Sequence, residues 1–308
     1  MYIHKSVLLN EAIENLNIKP DGIYVDCTLG GGGHSKEILK RLTTGHLYCF
    51  DQDDYAFLRA KEVLDPISKN YTFIKANFKD IKFELNKLGV TKIDGVLYDL
   101  GVSSFQFDIP ERGFSYNYDA PLDMRMNQDA ELTAEKIINN YSFNEIQNIL
   151  YRYGEEPFAK QIARQIEKQR AIKPIKTTFE LVDVIKSALP QKVLNKKGHP
   201  AKQTFQALRI AVNDELNVLE KSLKSALSLL NKGGRCEVIS FHSLEDRIVK
   251  QTFKDAVDVK IPKGLPIKDN DIIRKYKLIN NKPITASSSE LLANNRAHSA
   301  KLRIIEKI

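Results

Sequence analysis

Ile23-Tyr-Val-Asp-Cys-Thr-Leu-Gly-Gly-Gly-Gly-His34 runs from a short apolar segment into an acid and then into four consecutive glycines. Glycine has no Cβ and takes positive φ readily, so this bend presents peptide N–H groups where a side chain would block approach. Ser35-Lys-Glu-Ile-Leu-Lys-Arg-Leu42 follows with its apolar residues at helical spacing. The bend therefore reads as a strand-to-helix crossing that opens a βαβ unit. Open α/β sheets bind nucleotides at such crossings. The dinucleotide fingerprint Gly-x-Gly-x-x-Gly fails at its third position, because Gly30 and Gly32 lead on to Ser35. What remains is an acid at a strand end followed by alternate small residues: Asp26, Thr28, Gly30 and Gly32.

Working outward, His46-Leu-Tyr-Cys-Phe-Asp51 predicts a second strand. Its closing acid lies about 20 positions past the glycines, where a carboxylate reaches both hydroxyls of a ribose. Tyr71-Thr-Phe-Ile-Lys-Ala-Asn77 predicts a third strand, with Phe78 placed to lie against an adenine face. Ile93-Asp-Gly-Val-Leu-Tyr-Asp99 predicts a fourth, again ending in an acid. A lone aspartate at a strand end is more often a solvated acid or a helix cap. Three at matching ends describe a parallel sheet with one ligand edge.

The chain has 308 residues, 42% of them hydrophobic, enough for one large domain and a smaller one. No apolar run approaches the roughly 18 residues of a membrane span, and the first residues lack a signal peptide's apolar segment. A soluble cytoplasmic protein without a membrane partner is expected. Cys27, Cys49 and Cys236 have no metal spacing and sit in or beside apolar runs, which predicts buried free thiols. No clustered His, Cys and carboxylate set points to a catalytic metal.

The net charge of +8 is unevenly spread. Residues 136–202 carry 13 Lys and Arg against 6 Asp and Glu, and residues 260–308 carry 11 against 4. Residues 1–135 carry 15 against 21, and residues 203–259 are balanced at 8 against 8. Two basic segments flanking an acidic-to-neutral body suit a polyanionic partner, although lysine-rich helices also serve solubility alone. Tyr141, Phe143, Tyr151, Arg152 and Tyr153 offer stacking surfaces for bases or, more commonly at such spacing, core residues.

The first basic segment also interrupts the α/β pattern. Ser142-Phe-Asn-Glu145 and Thr177-Thr-Phe-Glu180 fit capping boxes, and Phe158, Ile162 and Ile166 form one stripe at helical spacing. A helix from about Thr204 to Leu230, stopped by Gly233-Gly234, leads into a fifth parallel strand at Cys236-Glu-Val-Ile-Ser-Phe241. The predicted architecture is a discontinuous sheet domain, 1–110 and 204–308, holding an inserted basic helical domain at 111–203. Ile109-Pro110 and Gly198-His199-Pro200 stand near its hinges.

The Asp26–Gly32 arrangement resembles the first motif of S-adenosylmethionine (SAM) methyltransferases. Longer matches sharpen this: Asp26-Cys-Thr-Leu-Gly-Gly-Gly-Gly-His-Ser35, Tyr98-Asp-Leu-Gly-Val-Ser-Ser104, Glu111-Arg-Gly-Phe-Ser115, Pro121-Leu-Asp-Met-Arg-Met126, Tyr153-Gly-Glu-Glu156, Thr204-Phe-Gln-Ala-Leu-Arg209 and Ile239-Ser-Phe-His-Ser-Leu-Glu-Asp-Arg247. Together with His4-Lys-Ser-Val-Leu-Leu9, Asn295-Arg296 and Lys301-Leu-Arg-Ile-Ile305, they make the whole chain similar to the bacterial RsmH (MraW) family. The resemblance implies a Rossmann-like class I SAM-dependent methyltransferase sheet and transfer of a methyl group to N4 of a cytidine in the decoding region of 16S ribosomal RNA. The implied partner is 16S rRNA, within the small ribosomal subunit, and a homodimer is a family-level expectation.

The same resemblance places the SAM contacts on Gly32, Gly33, His34, Asp51, Phe78, Asp99 and Gln106. Asp51 and Phe78 also follow from the strand-end pattern, whereas His34 does not. Phe105 stands where relatives often have proline, and His298 where they often have arginine. The N4 amine is a poor nucleophile because its lone pair is conjugated into the ring, so a hydrogen-bond acceptor beside it assists transfer. Asp99 is the first candidate for that catalytic role, although the Asp-Pro-Pro-Tyr signature of amino-methyltransferases is absent. Ser240 and His242 are second candidates, with capping or core hydrogen bonding the commoner use of each. Two rivals stand beside this reading: a SAM methyltransferase acting on a small molecule or protein, and an RNA-binding factor that keeps the fold without catalysis. Steep salt dependence of acceptor binding separates the first, and the intact set of Gly32, Gly33, Asp51 and Asp99 argues against the second.

Overall fold

Residues 93 to 99 show why the sheet forms. Ile93, Val96, Leu97 and Tyr98 are fully buried, giving the near-continuous apolar run of a strand covered on both faces. In a computed structural model that describes residues 6–258 and 274–308, this strand is central in a seven-stranded sheet. Its members are β1 Ile23–Asp26, β2 His46–Asp51, β3 Tyr71–Lys75, β4 Ile93–Asp99, β5 Leu230–Ser240, β6 Tyr276–Leu278 and β7 Lys301–Lys307. Their order is β3-β2-β1-β4-β5-β7-β6. β1 to β5 are mutually parallel, and β7 pairs antiparallel with both β5 and β6. The chain moves outward in one direction from β1 to β3 and in the other from β4 onward. That reversal opens a crevice beyond the carboxyl ends of β1 and β4.

Fourteen α-helices accompany the strands among the described residues. In chain order they are α1 Leu9–Asn15, α2 Gly33–Leu39, α3 Asp54–Leu64, α4 Ile81–Lys87, α5 Ser104–Asp108, α6 Ala134–Asn140, α7 Phe143–Gly154, α8 Ala159–Ile172, α9 Thr178–Ala188, α10 Gln191–Leu194, α11 Lys202–Asn213, α12 Glu215–Leu229, α13 Ser243–Val257 and α14 Ser288–Ala293. One face of the sheet joins Val25, Val96, Tyr98, Cys236 and Val238 to Leu219, Leu223 and Ala226 of α12 and to Val249 and Phe253 of α13. The other joins Tyr24, Leu47, Leu97, Ile239 and Ile304 to Ala12 of α1 and to Ile38 and Leu39 of α2. All three cysteines are free and buried, as their apolar surroundings in the sequence predict.

The chain divides into two compact units, Met1–Gly101 with Leu216–Ile308, and Val102–Glu215. The expected division at 111 and 203 is therefore too narrow. α11 belongs to the helical unit because Phe205, Ala207 and Leu208 are buried there with Ile146 and Leu150 of α7 and Ile162 and Ile166 of α8. The single helix expected from Thr204 to Leu230 is broken at Asp214, whose φ of 50° is left-handed, and α12 starts at the next residue. β5 likewise begins at Leu230 rather than Cys236, absorbing Gly233-Gly234 through a register shift against β4.

Both predicted capping boxes form. Ser142 Oγ accepts from Glu145 N–H and Thr177 Oγ1 from Glu180 N–H, while each glutamate accepts from its cap residue's backbone. Ile162 and Ile166 lie fully buried on α8 as their spacing predicts, with Phe158 packed against the same cluster. Of the aromatics weighed as stacking surfaces, Tyr141, Phe143 and Tyr153 pack against this core. Tyr151 is 68% exposed. His4 and Lys5 of the first family match and residues 260–273 of the second basic segment lie outside the described residues.

Candidate active site

The glycine bend connects β1 to α2 at the sheet's reversal point. Gly32 adopts φ +79° and stands as the N-cap of α2, a conformation that β-carbon-bearing residues resist. A Cβ on Gly33 would overlap Ser6 Oγ, whereas one on Gly31 would meet nothing within 4 Å. Of these two glycines, Gly31 borders open space and Gly33 borders the Ser6 side chain. The bend is fastened from beneath by Asp26, which is 1% exposed. Its carboxylate accepts from Thr28 N–H at 3.0 Å and from Ser35 Oγ at 2.6 Å. Asp26 is a structural anchor rather than a surface for ligand.

Asp51 closes β2 and holds the bend from the side. Oδ2 accepts from Gly30 N–H at 2.9 Å, and Oδ1 accepts from Gln52 N–H at 2.8 Å and Asp53 N–H at 3.0 Å. Burial pushes its carboxyl up to about 6, against the lowering effect of those three N–H donors. Three donors leave lone pairs of the carboxylate for further hydroxyl groups. Phe78 follows β3 in a short 3-10 turn, its ring edge-on to Tyr98 with centroids 5.5 Å apart. Ser222 of α12 steadies both, donating to Phe78 O at 2.8 Å and meeting Tyr98 Oη at 2.8 Å.

Asp99 closes β4. Its backbone N–H donates to Thr28 Oγ1 at 2.7 Å, so the threonine of the first bend aligns the fourth strand's end. Oδ2 lies 3.5 Å from His34 Nδ1, and Oδ1 is buried without a hydrogen-bond partner among the described residues. Burial raises this carboxyl to about 6; His34 and Arg296 oppose the rise, while the charges of Asp26 and Glu245 add to it. His34 is itself 5% exposed, with Nε2 3.1 Å from Val7 O.

Gly32, Gly33, His34, Asp51, Phe78 and Asp99 thus all belong to the sheet unit, linked by the Gly30–Asp51 hydrogen bond and the His34–Asp99 ion pair. Gln106 belongs to the helical unit, where it is buried and accepts from Ser103 N–H at 3.1 Å as part of a capping box. Ser240 is turned to β7, its Oγ donating to Lys301 O at 3.4 Å. His242 caps α13: Nδ1 accepts from Glu245 N–H at 3.4 Å while Glu245 accepts from the Phe241 and His242 N–H groups. Capping, the commoner use of such residues, is the use found for His242.

Sequence reasoning missed Thr28 and Arg296 as partners of Asp99, and Val7 as the partner of His34. Their distance along the chain leaves no local signal. Glu245 had one, since His242-x-x-Glu245 has the spacing of a capping box.

The model of the MraW methylase family matches residues 1–308. A protein of Exiguobacterium sibiricum called ribosomal RNA small subunit methyltransferase H is 57% identical over 309 residues, covering 100% of this chain and 99% of that protein. One of the same name from Streptococcus dysgalactiae subsp. equisimilis is 58% identical over 308 residues, covering 99% of this chain and 98% of that protein. Among solved structures, an rRNA methylase from Streptococcus thermophilus matches with a TM-score of 0.44 at 12% identity, covering 100% of this chain and 99% of that one. Among the described residues no helix is long and apolar enough to cross a membrane.

Proposed function

Because the chain belongs to the MraW methylase family, we propose that it transfers a methyl group from SAM to the exocyclic N4 of a cytidine in 16S ribosomal RNA. One observation carries the reading: an acid-lined glycine bend at the carboxyl ends of β1, β2 and β4, where the strand order reverses. The residues present fit the donor. Gly31 borders open space, Asp51 keeps lone pairs for ribose hydroxyls, and Phe78 offers a ring for adenine. When bound, SAM supplies a methyl group already activated by its sulfonium.

The protein's share is alignment and proton handling. Asp51, fixed by three backbone N–H groups, holds the ribose in one orientation, and the rigid bend sets the depth of binding. Positioning of this kind contributes on the order of 7 to 11 kcal/mol when nitrogen, carbon and sulfur are brought into line. Asp99 stands at the neighbouring strand end, where its carboxylate accepts from the amine and raises the electron density on nitrogen. A base in folded RNA must be splayed out to be reached, which favours an unpaired or weakly stacked cytidine. The helical unit, rich in exposed cations such as Lys196 and Lys197, supplies phosphate contacts. Within this reading the substrate is the small ribosomal subunit, the place of action is the cytoplasm, and the enzyme works as a homodimer, which sedimentation of the purified chain decides.

Mass mapping of 16S rRNA from cells lacking the chain tests the activity: a cytidine should lose one methyl group and regain it on complementation, but not with Asp51→Ala. An unchanged rRNA mass map would refute the proposal. Lys196→Glu with Lys197→Glu should weaken RNA binding, flatten its salt dependence and leave SAM affinity alone. Equal RNA binding by that variant would remove these lysines from the interface.

A further inference from the structure

His34 has two ring nitrogens in two different settings, and one of them settles the state of the other. Nε2 lies 3.1 Å from the carbonyl oxygen of Val7. A carbonyl only accepts, so Nε2 must carry a hydrogen. Nδ1 then faces Asp99 Oδ2 at 3.5 Å. If both were deprotonated, a lone pair would confront a carboxylate in a buried place, which is unfavourable on both sides. A proton between them removes the conflict, whether it sits on nitrogen as an imidazolium or on oxygen as a carboxylic acid. The separation is longer than a good hydrogen bond, as is common in sites that tighten once ligand binds.

We propose that His34 is a positioning residue for Asp99, holding a single proton between Nδ1 and Oδ2 and so leaving the buried, unpartnered Oδ1 to accept from the substrate amine once ligand binding brings the two together. This rests on the methyl-transfer reading above for the identity of the amine, but the proton arrangement itself does not. The remaining charges that bear on Asp99 are Asp26 at the end of β1, Glu245 on α13 and Arg296. The two acids disfavour its ionisation, and His34 and Arg296 oppose them. Of the effects that favour the carboxylate, the larger comes from His34, whose Nδ1 lies 3.5 Å from Oδ2. With the proton on Nδ1, Asp99 is ionised. As the amine lone pair forms the new N–C bond and the C–S pair departs with sulfur, nitrogen sheds one proton to Oδ1. The carboxylate becomes a carboxylic acid, and the imidazolium keeps the proton it had.

Nitrogen-15 spectra of histidine-labelled protein read the arrangement without any methyl transfer. They should show Nε2 of His34 protonated throughout; a neutral ring protonated on Nδ1 and bare on Nε2 would overturn the proposal. Carbon-13 titration of the Asp99 carboxyl should then move upward by roughly one to three pH units in His34→Asn, since an opposite charge at this range lowers a carboxyl pKa by about that amount. His34→Gln serves the same comparison if the asparagine variant fails to fold. The acid limb of the kcat profile should follow Asp99 upward. A limb that stays in place while the KM for SAM rises would reduce His34 to a ligand contact and refute the positioning role. If no RNA is methylated at all, the functional reading fails while the spectra still judge the shared proton.

Discussion

Replacing Glu237 by leucine should stabilise the protein, and by more at neutral pH than in acid. Glu237 stands in the middle of β5 between its register partners Leu97 and Ile304, fully buried, with neither carboxylate oxygen partnered among the described residues. Desolvation holds its carboxyl well above the ordinary range, and the charge of Arg235 opposes this only in part. The buried form is the protonated acid. Keeping that proton costs about 1.4 kcal/mol for each pH unit above a carboxyl's unfolded pKa of roughly 4.3. An unsatisfied buried hydroxyl and carbonyl add about 1 to 3 kcal/mol at any pH. Because the folded pKa is the raised one, stability is greatest at low pH and is lost as pH rises. Leucine, of similar volume, removes both costs, so its advantage should widen by up to roughly 3 kcal/mol between about pH 5 and pH 7. Glutamine should abolish the pH dependence yet retain most of the unsatisfied polar cost. The chain has no tryptophan, so urea midpoints are best followed by circular dichroism at several pH values. A leucine variant that gained equally at both ends of the range, or lost stability, would refute the buried, unpaired acid.

Two further outcomes follow from the site and the helical unit. SAM affinity of the wild type should fall below about pH 6, approaching tenfold per pH unit, because Asp51 must ionise to accept ribose hydroxyls and burial has pushed its carboxyl up to about 6; calorimetry showing a flat Kd would exclude it as a ribose ligand. In the helical unit, a Cβ on Gly154 would come within 2.7 Å of Gln203 O and 3.2 Å of Ala207 Cβ, so Gly154→Ala should force α7 and α11 apart and cost roughly 1 to 3 kcal/mol; an unchanged urea midpoint would show that the crossing yields easily.

β2 and β4 were legible to the residue because each is a short apolar run closed by an acid, and chemistry and burial change at the same place. The caps at Ser142 and Thr177 were legible for a similar reason: the capping box is a local hydrogen-bond exchange that four residues specify. The break between α11 and α12 was not. The apolar spacing continues through it, and Asp214 carries no mark of its left-handed backbone. Nor was the strand that begins at Leu230, since Gly233-Gly234 signals a stop in sequence but is accommodated in the sheet by a register shift. In the site, Asp51, Phe78 and Asp99 came from the strand-end pattern, and His34 came only from family resemblance. Its meaning lies with Val7 and Asp99, residues far away along the chain, and no window of sequence contains them together.

The division of the chain also sets an order of assembly. Val102–Glu215 is one uninterrupted stretch whose helices find their neighbours nearby in sequence, so it can form as soon as it is synthesised. β4, by contrast, finds β1 already made but must wait for β5, and β5 for β7, because those strands are encoded on the far side of that stretch. A nascent chain stalled before Leu230 would therefore carry finished helices beside a half-built sheet with β4 exposed along one edge. That interval, rather than any weakness of the finished molecule, is when aggregation most threatens it.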